Sequence, residues 1–128
     1  MKLDRDKAGK AFRNYVAQYN AQDEKVKLKI DHTYRVAALC EQIAQSISLS
    51  SDDVDIAWFS GLLHDVGRFE QLRWFGTFND AQSIDHAMYG AEILFDQEKI
   101  WDYIDRDAIT KDELLFLRKV ISCHSAYR

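Results

Sequence analysis

A chain of 128 residues with no proline and only five glycines has few places to turn sharply, and helices are what such a sequence builds most readily. Apolar residues recur at helical spacing, as with Phe12, Tyr15, Val16 and Tyr19 on one face of the first segment. The expected fold is all-α, a compact bundle of about five to six helices. Helices are expected over residues 6–19, 23–48, 50–66 and 83–97, with a short acidic one near 100–106 and a last one from 110 to the C-terminus. Ser50 with Asp53 and Thr110 with Glu113 have the spacing of capping boxes. Residues 67–82, carrying Phe69, Trp74, Phe75 and Phe78, read as an irregular aromatic loop.

With 47% hydrophobic residues the chain can bury one core, so residues 1–128 are expected to form a single domain. Cys40 and Cys123 lie in apolar runs and read as reduced core residues. No apolar stretch approaches the roughly 20 residues needed to span a bilayer, and the N-terminus has no apolar leader core, so a cytoplasmic location is expected. A formal net charge of −4 argues against a duplex nucleic-acid binder and favours a small-molecule ligand.

The segment Gly61-Leu62-Leu63-His64-Asp65-Val66-Gly67-Arg68-Phe69 sets an imidazole and a carboxylate side by side where an apolar run stops. Neighbours in mid-helix point about 100° apart, so such a pair serves one ligand best at a helix end, with Gly67 supplying the turn. Neither group suits a dry core unless something satisfies it, and a divalent metal satisfies both.

Only three other histidines could join the pair: His32, His86 and His124. Val36, Leu39 and Ile43 share the helical stripe of His32, which would turn it inward. Gly90 and Ile93 share that of His86, and Leu117 and Val120 that of His124. A lone histidine on an apolar face is more often a hydrogen-bonded core residue than a ligand. Four inward histidines, one followed directly by aspartate, form a constellation. No His-x-x-x-His or Cys-x-x-Cys spacing occurs, so any metal must be gathered from separate helices.

The order His32, His64-Asp65, His86 and His124 resembles the HD-domain superfamily of metal-dependent phosphohydrolases. Lys29 and Arg35 around the first histidine, the glycine-flanked doublet, and Asp85-His86 with Gly90-Ala91 carry the likeness, which covers roughly residues 25–128. The resemblance implies an all-α fold and hydrolysis of a phosphomonoester or small phosphodiester, nucleotide-like, by a metal-activated water. On that basis His32, His64 and Asp65 are expected to hold one metal, with Asp65 bridging to a second held by His86 and His124. One or two divalent ions are expected, among Mn, Fe, Co, Ni, Zn and Mg.

Asp65 and Arg68 are the expected catalytic residues. Arg68 would clamp the substrate phosphate, unless it is a surface arginine paired with Glu70. Lys29 and Arg35 are further candidate phosphate contacts. Asp31 and Asp85, each preceding a histidine, are either orienting partners or solvated charges. The aromatic residues of 67–82 are either packing or a platform for a nucleobase.

The family's pattern ends in a further aspartate, whereas Ser125-Ala126-Tyr127-Arg128 follow His124 here. That departure favours two expectations. One is a non-catalytic metal- or nucleotide-binding regulatory module. The other is that residues 1–128 lack the C-terminal part of a longer domain, with weak hydrolysis and possible self-association through uncovered apolar surface as consequences.

Overall fold

The structure is a computed structural model that describes residues 1–124. They form six α-helices and no strand: α1 (Arg5–Val16), α2 (Glu24–Ser46), α3 (Ser51–Leu63), α4 (Val66–Phe75), α5 (His86–Ala91) and α6 (Lys111–Cys123). Local chemistry sets most helix starts. Side chains of Asp4, Asp23, Ser50 and Asp85 accept backbone N–H groups at the beginnings of α1, α2, α3 and α5. Thr110 and Glu113 close a reciprocal capping box on α6.

α2 and α3 pack along each other. The face of α2 that is buried carries Val26, Thr33, Ala37 and Ala44, and opposite it stands Gly61, where a Cβ would lie 2.6 Å from the Cα of Ala37. The two backbones approach this closely because the residues between them are small. The larger aliphatics are displaced to the outside, so Leu39 and Ile43 are 54% and 60% exposed, and only Val36 of the expected stripe is half-buried. The inward stripe expected beside His32 is thus corrected.

α4 is a second correction. The expected loop opens as a ten-residue helix that buries Val66, Gly67, Arg68, Phe69 and Gln71. Trp74 and Phe75 stay exposed. The expected helix over 83–97 starts only at His86 and continues from Glu92 to Asp96 as a π-helical turn. The expected short helix near 100–106 is two 3-10 turns, Lys99–Asp102 and Arg106–Ala108.

The core collects Phe12, Phe59, Leu62, Phe69, Leu94 and Ile121 from five helical segments. Phe69 takes edge contacts from Phe12 and Tyr15. Among the cysteines, Cys40 is half-buried and Cys123 exposed, so the second is not the core residue expected. Among the described residues, no helix is long and apolar enough to cross a membrane.

Candidate metal centre

α3 ends at Leu63 and α4 begins at Val66, so His64 and Asp65 form the corner between them. The corner is made by Asp65 itself (φ −112°, ψ 19°), near the sparsely populated bridge region where functional residues recur. Gly67, expected to make the turn, sits inside α4 and has a different function. A Cβ there would lie 2.2 Å from the carbonyl oxygen of His86 and 2.8 Å from Gly90 N, so only glycine lets α4 meet α5. That contact sets His86 against Asp65.

The Asp65 side chain is 2% exposed and lies among all four histidines. His32 Nε2 and His64 Nε2 are 3.4 and 3.3 Å from Oδ2, while His86 Nε2 and His124 Nε2 are 3.3 and 3.4 Å from Oδ1. Oδ1 is buried and makes no hydrogen bond among the described residues. Three of the rings have their tautomer fixed from behind. His64 Nδ1 donates to the carbonyl of Gly61 (2.7 Å) and His124 Nδ1 to that of Ile121 (2.8 Å). A carbonyl can only accept, so these Nδ1 atoms hold the proton. His86 Nδ1 donates to Asp80 Oδ2 (2.7 Å) in the same manner. In neutral rings, each Nε2 is therefore left with a lone pair turned toward a carboxylate.

The 2.9 Å gap between His86 Nε2 and His124 Nε2 then sets two lone pairs against each other beside an unpartnered carboxylate oxygen. Buried acceptors facing one another are costly unless a cation lies among them, and this donor set fits a divalent ion. Three triads among the described residues have ligand atoms close enough together for an ion, and two of them share Asp65: His32, His64 and Asp65, and Asp65, His86 and His124. The third, Asp80, Asp85 and His86, uses side chains that already accept N–H groups of His86, Ala87 and Met88. Burial alone would push the Asp65 carboxyl pKa up; donation from protonated His124, His64 and His86 would pull it down, and with these rings neutral and protonated on Nδ1 a bound cation would have to do so instead. Burial pushes the His32 pKa down against the pull of Asp65, which favours the neutral ring a metal requires.

The family model of the HD domain matches residues 30–124. The chain belongs to the HD-domain family. HD domains are metal-dependent phosphohydrolases as a superfamily, and the matched span contains every residue of the centre. Searches of curated proteins and of solved structures found no match.

Around the HD centre the arginine differs from expectation. Arg68 is 5% exposed, and its Nη1 lies within hydrogen-bond distance of Gln71 Oε1 (2.8 Å), Phe78 O (2.7 Å) and Asp80 Oδ1 (2.9 Å). A guanidinium enclosed this way braces the protein rather than receiving a substrate phosphate. Nor does it pair with Glu70, which faces Arg73 and accepts from Tyr19.

Asp80, which sequence reasoning missed, links Arg68 to the histidines. Its Oδ1 accepts from Arg68 and Gln71, and its Oδ2 from the ring and backbone N–H of His86. Burial pushes its carboxyl pKa up, yet the hydrogen bonds of His86 and Gln71 bring it down to about 2. Asp85, the sequence neighbour of His86, instead caps α5 through Ala87 N and Met88 N. Asp31 is exposed, as is Arg35.

Lys29 does reach the centre, with Nζ 3.8 Å from Asp65 Oδ2 and 5.0 Å from the centroid of the Phe78 ring. The aromatic residues do not form one platform. Phe69 is core, Trp74 and Phe75 are on the surface, and only Phe78 lies beside the site. A cleft of about 680 Å³ between α1 and α4, bordered by Lys7, Tyr15, Glu70 and Tyr103, contains none of the centre's residues.

Proposed function

We propose that this HD-domain protein hydrolyses a phosphomonoester or small phosphodiester, nucleotide-like in kind, at the Asp65 centre. The observation that carries the proposal is the convergence of four imidazole nitrogens on one buried carboxylate, three with their tautomers fixed by acceptors behind them. A divalent ion held by these residues supplies a Lewis acid that lowers the pKa of a water and neutralises phosphoryl oxygens.

The protein's own groups do the remainder. His64, His86 and His124 present lone pairs without rearrangement, since the proton on each ring is already committed to its Nδ1 partner. Asp65 stays ionised and offers an oxygen to each triad. His32, the most exposed of the four, stands where the centre opens to solvent. Among the described residues the Lys29 ammonium is the cation placed to meet a phosphoryl oxygen, the role that Arg68 is too enclosed to fill.

The test is a panel of aryl phosphomonoesters, aryl phosphodiesters and nucleoside monophosphates, assayed with chelator-stripped protein and with Mn, Co, Ni, Zn or Mg added back. Metal-dependent release of phosphate or alcohol that is lost in His64→Ala and Asp65→Asn is the expected result. Tight metal binding with no turnover on any member would replace hydrolysis with a metal- or nucleotide-binding regulatory module.

A further inference from the structure

The two triads share Asp65, but among the described residues only the one at Oδ2 has a protein cation beside it. Lys29 Nζ lies 3.8 Å from Oδ2, the oxygen that faces His32 and His64. Its position is supported from two directions. It leaves α2 one turn before His32, and its head sits over the ring of Phe78. The carbonyl of Phe78 is in turn held by buried Arg68 at 2.7 Å. On the other side of the carboxylate, His86 and His124 approach Oδ1, which has no hydrogen-bond partner among the described residues.

We propose that Lys29 makes the two metal positions unequal: one ion binds tightly at Asp65, His86 and His124, while the ammonium weakens binding of a second at His32, His64 and Asp65. This rests on the reading of the centre as a metal site and adds the order and strength of filling. The physical reason is charge. An ammonium on a carboxylate oxygen in a partly enclosed site cancels part of the attraction that oxygen offers a divalent ion, and it repels that ion directly. The second ion must displace the ammonium or tolerate it, whereas the first meets an orphaned oxygen and two lone pairs.

The experiment is calorimetric titration of the chelator-stripped chain with Mn²⁺ alone, in wild type and in Lys29→Met, Lys29→Gln and Lys29→Arg. Wild type is expected to bind one equivalent tightly and a second at least about 10-fold more weakly. Lys29→Met and Lys29→Gln should tighten the second event by about 10-fold or more and leave the first unchanged, and Lys29→Arg should keep the disparity. Thermal melts verify that each variant folds, and two neutral replacements guard against one packing badly. Two equal sites in wild type, or a second affinity unmoved in both neutral variants, overturns the proposal while leaving a metal centre in place. Absence of any Mn²⁺ binding in all four proteins overturns the metal reading itself and this inference with it.

Discussion

The two oxygens of Asp65 face unlike surroundings. On the Oδ1 side His86 is fully buried, its ring is fixed by Asp80, and Asp80 is fixed by Arg68 and Gln71. On the Oδ2 side the His32 side chain is 37% exposed, and the nearest additional group is Lys29. His124 and His64 are equally exposed, so the two halves differ at His86, which is enclosed and braced, and at His32, which meets solvent. A site that must hold an ion and also admit a substrate gains from this division, because rigidity and access are demanded of different residues.

The largest expected effect that would sharpen the contrast comes from Gly67→Ala. Its Cβ would meet the His86 carbonyl at 2.2 Å, so α4 and α5 must separate. A loss of about 3 kcal/mol in urea unfolding is expected, typical of a severe overpacking change, together with loss of the tightly held ion. A variant as stable as wild type would show that the backbone contact does not set the enclosed side.

His86→Ala comes next. Removing a buried ligand should weaken the tight ion by roughly 100-fold or more, while His32→Ala should change it by less than about 10-fold. Equilibrium dialysis against Mn²⁺ reads both, and the opposite ranking would break the comparison. Asp80→Ala follows, with an expected loss of about 10- to 100-fold in the affinity of the same ion. Nitrogen NMR should show the His86 proton no longer confined to Nδ1, and an unchanged tautomer would remove Asp80 from its orienting role.

The smallest effect is in pH. The Asp80 carboxyl has its pKa lowered from 3.8 to about 2, so its stabilisation is present above the unfolded value and lost as pH falls through the folded one. Because Asp80 is one-third exposed, about 1 kcal/mol is expected rather than the full value of the shift. Unfolding of wild type and Asp80→Asn should differ by that amount at pH 6, and the gap should close between pH 4 and pH 2. A gap that widens on acidification would contradict the sign.

Helix content was legible because absent proline and well-placed capping residues act locally, and Ser50 and Thr110 are found at helix starts, whereas the cap formed by Asp85 was not foreseen. The five centre residues were legible because few histidines were available to choose from. α4 was not. Periodicity finds helices whose buried face is apolar, whereas α4 buries Arg68 and Gln71 and exposes Trp74 and Phe75. α2 misled for the converse reason, since its packed face is made of Thr33, Ala37 and Ala44, and its larger aliphatics lie outside. Asp80 gave no signal at all. It lies in a separate 3-10 turn six residues before His86, and only the folded chain makes them neighbours.

The contact of Gly67 with His86 and Gly90 bears on how the protein comes apart. The separation of Asp65 from His86 is fixed by main chain against main chain, with no rotatable side chain between to absorb movement. Melting the surrounding side-chain order cannot then slacken the enclosed half gradually. The ion should be kept until α4 and α5 part as rigid pieces, and its escape should coincide with the collapse of the fold as a single event.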